Sequence, residues 1–460
     1  MKEYLTRFIE VGLKLGAEYI EVRAQKLFKT MLTMKDGIIE AAKEGLENGV
    51  AIRVLVNGAW GFASVGSFDN AQLIDAVEKT CKMAKAASRK VKTPVELAEI
   101  RTFEDKVVVK PRKNPAEVSL AEKIKIASSM NKTVFDYDPR VKSCTMDYLD
   151  VTGTNYFINN EGTYIEQDKL YVWSRVLTTA KEGEVYAFAR EEIGSTAGFE
   201  VFETETLEVV GERIAKRAIE QLKAKTPKGG AFPVVIGPNV VGVFVHEAFG
   251  HLAEADLTLK GSVLMDKLGK KIASEVVTVY DDGTVNGAFG SFKYDDEGIP
   301  AQKTLLIKDG QVVGLMHNRE TAHRFQTSPT GNVRAEDFRY EPIIRMRNTY
   351  LAPRDYSFEE LLEGVKFGYY LKSFRGGQAN LNGTFQVGIQ EAYEIVNGEI
   401  GAPVRNASIS GNTLETLRKV EAVGKDFQLW PGRCGKGQIA FVCDGGPHIR
   451  VKEVLMGGGA

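Results

Sequence analysis

Asn239-Val-Val-Gly-Val-Phe-Val-His246-Glu247-Ala-Phe-Gly-His251 sets an apolar run directly against two imidazoles and a carboxylate. The run reads as a buried helix with Asn239 at its N-cap. A strand, Phe232–Ile236, stands just before it, and glycine-punctuated strands follow it to the C-terminus. Further turn signals sit at Asp282-Gly283, Asp309-Gly310, Asn382-Gly383 and Asn397-Gly398. The second half is therefore expected to be β-rich with one important helix.

The whole chain has five histidines, so two of them this close, with Glu247 directly after the first, stand out. Neutral imidazoles ligate divalent metals, and an adjacent Glu can deprotonate a water. The pattern is H-E-x-x-H with one extra residue. On a regular helix each residue advances ~100°, so histidines five apart diverge by ~140° and cannot easily share an ion. Either a π-bulge around Phe249 and Gly250 restores one face, or the helix breaks at Gly250.

Working back towards the N-terminus, residues 3–16 carry apolar positions at helical spacing. Hairpin signals at Asp36-Gly37 and Asn57-Gly58 divide strand-like runs, and a helix is expected from Asn70, as its cap, to Ala87. Residues 89–117 form a connection with a strand at Val107–Val109. Ser119-Leu-Ala-Glu122 is a capping box. Strands dominate from Val141 to about Glu192 with a turn at Asn159–Gly162, and a long helix runs from about Glu203 to Lys225. Pro227-Lys-Gly-Gly230 marks the domain boundary. The fold class is α+β: an N-terminal domain over 1–226 and a β-rich metal-binding domain over 227–460. The first comprises a helix-hairpin unit (1–88), the connection (89–117) and a helix-sheet-helix unit (118–226).

At 460 residues and a net charge of −1, the chain has core enough for two or three domains and no bulk charge favouring nucleic acid. No apolar run approaches the ~20 residues that span a bilayer, and the N-terminus lacks a secretory h-region. Four cysteines, at 81, 144, 434 and 443, suggest no disulfide framework. A cytoplasmic protein without nucleic-acid or membrane partners is expected.

A hydrolytic metal usually takes three protein ligands and keeps one open position. Candidates for the third are Cys434, Cys443, Glu254, Asp256, His317, His323 and His448. The affinity of thiolates for zinc favours Cys434, in the glycine-rich stretch Pro431–Gln438, over Glu254. Cys443, in an apolar run, reads as a buried strand thiol. Glu254 and Asp256 read as a solvated helix end or as groups that orient the ligands. Arg345, or the backbone amides of Gly435, Lys436, Gly437 and Gln438, are candidates for holding substrate and its oxyanion. Asp295, Asp296 and Glu297 read as a solvated acidic turn.

HEAFGHLAEAD (246–256), YDDEGIPAQ (294–302), RMRNTY (345–350), GGQ with NGTFQ and EAYEIVNG (376–398), and RCGKGQ (433–438) together resemble the TldD/PmbA family. The likeness covers nearly the whole chain, and His246, Glu247 and His251 resemble the TldD type. It departs from that type in lacking one residue between Cys434-Gly-Lys and Gly-Gln438. The resemblance implies a zinc metallopeptidase with one Zn2+ held by His246, His251 and Cys434 and with Glu247 as base. It also implies leader or unfolded peptides as substrate and a heterodimer with a metal-free PmbA (TldE) homologue, a homodimer being the other arrangement. Two rival readings remain: a hydrolase of non-peptide amides or esters, and a non-catalytic subunit whose structural zinc is closed by Cys443 or His448.

Overall fold

Strand Tyr19–Lys35 alternates its side chains between two apolar layers, and that alternation organises the first half. Ile20, Val22 and Ala24 face helices Lys2–Lys14 and Asn70–Ser88, while Leu32 and Met34 face helices Leu120–Tyr137 and Leu207–Leu222. Leu27 points the opposite way, into a cluster with Phe289 and Cys443 of the second half. One sheet face is thus covered by helices and the other by the C-terminal half.

The computed structural model describes residues 1–458. Its N-terminal sheet has seven strands, ordered Ala59–Val65, Ile38–Val56, Tyr19–Lys35, Val141–Asn159, Tyr164–Glu182 and Glu104–Val107, with Val185–Ser195 also paired to Tyr164–Glu182. The Asp36-Gly37 and Asn57-Gly58 turns both adopt positive φ, as two-residue hairpins require.

The second half holds two larger sheets. One has six strands, ordered Gln311–Val312, Lys303–Lys308, Val279–Asp282, Asn348–Leu351, Ile439–Gly446 and Gln428–Gly435. In the other, strands Phe367–Ala379, Gly230–Ile236, Ile449–Gly458, Ala407–Asn412 and Thr384–Val396 pair in sequence, and the last pairs back to the first. This ring leaves no free edge among those five strands. The helical segment from Pro238 lies between ring and sheet: Phe244, Val245, Ala248 and Phe249 share one core with Val279, Ile344, Met346, Val387 and Ile409. The α+β class, with its β-rich C-terminal half, is as the sequence implies.

Several local expectations change. Asp69, not Asn70, caps its helix, its side chain accepting from the Gln72 N–H at 2.8 Å. The expected helix 203–225 is two helices, Val201–Thr204 and Leu207–Leu222, because Glu205 is extended and the Thr206 hydroxyl restarts the helix. The strand expected at Val107–Val109 is Glu104–Val107, parallel to Tyr164–Gln167. Asp282-Gly283 is not a hairpin: strand Val279–Asp282 pairs instead with Lys303–Lys308 and Asn348–Leu351. No helix among the described residues is long and apolar enough to cross a membrane.

Candidate metal centre

Gly237 caps the site helix and Pro238 opens it, a position where the missing N–H costs nothing. Asn239 is therefore inside the first turn, and its side chain accepts from the Phe374 N–H at 2.9 Å. The α-helical stretch Pro238–Val243 passes into a π-helix over Phe244–Gly250 and then a 3-10 turn over His251–Ala253. A π-helix has i→i+5 hydrogen bonds, so residues five apart come to lie one above the other. That is what brings His246 and His251 together, with ring centroids 5.3 Å apart.

Gly250 has ordinary helical dihedrals, so it does not serve backbone freedom here. A Cβ there would lie 2.0 Å from the Met346 sulfur, so the glycine makes room for that side chain. Gly242 serves the same end: its Cβ would lie 2.4 Å from both Asp444 Oδ1 and the Gly445 backbone nitrogen.

Cys434 closes the group. Ligand atoms of His246, His251 and Cys434 all lie within 4.8 Å of one another, and Cys434 Sγ is 3.3 Å from His251 Nε2. Cys434 ends strand Gln428–Gly435, next to a tight turn in which the Lys436 N–H donates to the Gln438 carbonyl. Glu247 Oε2 stands 3.8 Å from His251 Nε2. On the ring's other side, Nδ1 meets Glu254 Oε2 at 2.9 Å. Glu254 is wholly buried, so the solvated helix end does not hold for it; the chain stops being helical there because Ala253 and Ala255 bond the Met316 backbone.

The electrostatics follow from this packing. Burial opposes a charge on Cys434, but the imidazoles of His246 and His251 overcome it and bring the thiol down to about 4. Burial likewise opposes charge on His246, and the Cys434 thiolate holds it up to about 8. His251 is raised well above its ordinary value against burial, chiefly by Glu254 and Cys434. His246 Nδ1 is buried with no hydrogen-bond partner. A buried thiolate beside an unsatisfied imidazole is costly in a protein interior, and a divalent cation would satisfy both. Two imidazole nitrogens and one thiolate are a donor set that fits zinc.

The remaining candidates lie elsewhere or are engaged. Cys443 accepts from the Phe289 N–H at 3.2 Å in an aromatic cluster, and burial pushes its thiol up to about 12. His317 bonds Thr321, and His323 faces Glu96 at 2.9 Å. His448 is held by Asp426 and Tyr370 at 2.7 and 3.0 Å. Asp256 receives Lys436 at 2.8 Å.

The residues expected to meet substrate turn inward. Arg345, 1 % exposed, donates to the carbonyls of Cys434 and Gln438, each at 2.7 Å. Lys436 binds Glu254 at 3.2 Å as well as Asp256, and the Gln438 amide bonds the Glu336 and Glu341 backbones at 2.8 Å. Gly435 and Gly437 stay exposed in the turn. These contacts fix the shape of the Cys434 loop. The acidic turn is also internal: Asp295 accepts three backbone N–H groups, Asp296 accepts the Ala335 N–H, and Glu297 pairs with Arg53 at 2.8 Å.

A cavity of about 750 Å³ opens beside two of the three ligand candidates, His246 and Cys434. His246, Glu247 and Cys434 line it together with Tyr370, Phe374 and Trp430 of the second half. The first half supplies an opposing wall through Trp173, Arg190 and Glu192, which sequence spacing gave no means of finding.

Three family models match in order: the PmbA/TldA metallopeptidase domain 1 over residues 20–88, the central domain over 113–222 and the C-terminal domain over 229–458. The chain belongs to the PmbA/TldD family. A relative in Methanothermobacter thermautotrophicus, described as a metalloprotease, is 41% identical over 96% of each chain. A zinc metalloprotease TldD homolog of Saccharolobus solfataricus is 34% identical over 98% of this chain and 99% of its own. Among solved structures, TldE from Thermococcus kodakarensis superposes with a TM-score of 0.78 at 22% identity, covering 99% of this chain and 100% of that one. At that identity the likeness is one of fold. As a PmbA/TldD member this chain sits in a metallopeptidase family, with its histidine-cysteine group inside the matched C-terminal domain.

Proposed function

We propose that this chain is a zinc-dependent metallopeptidase of leader or unfolded peptides, with its catalytic domain beginning at the 227–230 boundary. The observation that carries the reading is the convergence of His246, His251 and Cys434, with His246, Cys434 and Glu247 lining a cavity large enough for a peptide segment. When bound, zinc supplies Lewis acidity and lowers the pKa of a water towards ~7. Glu247 takes a proton from the attacking water and returns it to the leaving amine. Glu254 fixes the tautomer and orientation of the His251 ring. Arg345 and Gln438 hold the backbone on which Cys434 is carried, and are positioning residues rather than contacts to substrate. The names of the relatives support peptide hydrolysis, and pairing with a metal-free PmbA/TldE homologue is part of the same proposal.

The test is zinc content and peptide cleavage on the purified chain, alone and mixed with a PmbA/TldE-type homologue, beside Cys434→Ala. About one zinc per chain, lost in the variant together with cleavage, is the expected result. Zinc retained by Cys434→Ala would overturn this ligand set, and zinc without cleavage in any mixture would overturn the peptidase.

A further inference from the structure

Five cationic side chains line the metal cavity: Arg175, Arg190, Arg217, Lys372 and Arg433. Three have carboxylate partners. Arg175 binds Asp147 at 2.6 Å, Arg217 binds Glu391 at 2.9 Å and Glu191 at 3.3 Å, and Lys372 binds Glu391 at 2.7 Å. Arg190 and Arg433 have none among the described residues.

Arg433 is exposed and lies over the Trp173 ring, 5.0 Å from its centroid. Arg190 is mounted differently. Its guanidinium is partly buried and stacks on Phe374, 4.7 Å from the ring centroid. Its backbone is gripped by one side-chain amide: the Arg190 N–H donates to Gln390 Oε1, and its carbonyl accepts from Gln390 Nε2, both at 3.0 Å. Gln390 is itself buried. Phe374 is fixed in turn through its N–H to Asn239, about two turns before His246 on the site helix. A rigid chain of contacts therefore connects the Arg190 guanidinium to the metal centre.

The neighbouring carboxylates do not neutralise it. Glu192, two residues along the same strand, accepts the Trp173 indole N–H at 2.9 Å. Glu191 serves Arg213 and Arg217, and Glu192 and then Asp444 attract Arg190 without a direct bond. A guanidinium taken partly out of water without a directly bonded counter-ion costs free energy. Its planar, permanently charged donor fork is matched to a carboxylate.

We propose that Arg190 anchors substrate by binding a carboxylate of the peptide, at its C-terminus or on an acidic side chain, with Arg433 as the second cation. The inference rests on the peptidase reading for its site but not for its measurement. Binding and cleavage are followed separately on the zinc-loaded protein and on its Arg190→Gln and Arg190→Lys variants. The probes are a labelled oligoalanine peptide with one glutamate and a free C-terminus, the same peptide amidated at its C-terminus, and the same peptide with glutamine for glutamate.

Wild type is expected to bind the fully acidic probe about tenfold more tightly than whichever neutralised probe lacks the recognised group. That ratio collapses towards one in Arg190→Gln and returns in part in Arg190→Lys, with zinc content unchanged throughout. The probe that loses affinity tells terminal from side-chain recognition. Equal binding of all three probes by wild type, or a preference that survives in Arg190→Gln, would overturn the proposal. If no probe is cleaved by the chain alone or mixed with a PmbA/TldE-type homologue, the peptidase reading fails while the binding ratios still decide the role of Arg190.

Discussion

Nδ1 of His251 lies 2.9 Å from Oε2 of Glu254, a carboxylate wholly removed from solvent. The same carboxylate receives Lys436 at 3.2 Å, two residues beyond Cys434. Glu254 therefore ties together the helix that carries the histidines and the turn beside the thiol. Glu254→Gln keeps the shape but removes the charge, and zinc affinity should fall ~10–100-fold. Competition with a chelating dye measures this, and an affinity within twofold of wild type would remove Glu254 from that role.

Glu247→Gln should lower peptide turnover by ~10²–10⁴-fold, the usual contribution of a general base. Zinc content should not change, because Glu247 is not in the ligand group. Turnover within tenfold of wild type would assign the base to another group.

Zinc binding should depend on pH with a definite sign. Without metal, His246 is held up to about 8 and so carries a proton at neutrality, and His251 is raised well above its ordinary value by Glu254 and Cys434. Each must lose its proton to ligate, whereas Cys434, brought down to about 4, is already a thiolate. Affinity should therefore rise with pH through neutrality up to about 8, with protons released on binding. Calorimetry in buffers of different ionisation enthalpy counts those protons. A flat affinity between pH 6 and 8 would mean that the imidazoles are neutral beforehand.

Gly242→Ala should destabilise the second half by ~1–3 kcal/mol, the usual cost of forcing a methyl into a filled interior. The new Cβ meets the Gly445 backbone nitrogen at 2.4 Å, and a backbone atom cannot swing aside. A denaturation midpoint equal to that of wild type would show that helix and strand separate more easily than their packing implies.

Glu297→Gln tests the joint between the halves. Arg53, in strand Ile38–Val56, sits between Glu21 and Glu297, each at 2.8 Å, and Glu297 also accepts the Arg319 N–H at 2.9 Å. Glu21 remains to balance Arg53, so the loss should be about 1.5–3 kcal/mol, that of a charged hydrogen bond rather than of an orphaned ion. Equilibrium unfolding of the variant beside wild type measures it.

Much of the molecule was legible locally. Positive-φ turns at Asp36-Gly37, Asn57-Gly58, Asp309-Gly310 and Asn397-Gly398 stand where their dipeptides placed them, because the conformational preference belongs to those residues themselves. The five-residue separation of His246 and His251 required either a π distortion or a break, and the helix takes the first course. Caps are less legible: Asp69 and Gly237 lie one and two residues before Asn70 and Asn239, whose type suggests capping. A cap is selected by where the chain enters the helix, and packing decides that.

Most element types, the α+β class and the donor types for a metal are legible from residues alone, since backbone preference and ligand chemistry are properties of residues and their near neighbours. Long-range packing chose which groups meet. It brought Cys434 to His251 across 183 positions, buried Glu254 behind the imidazole, and turned Arg345 and Lys436 from the cavity towards the loop they hold. It also set Arg190 of the first half against the cavity of the second. Those arrangements follow from the closing of two sheets and a strand ring around one helix, where apolar burial chooses partners far apart in the chain.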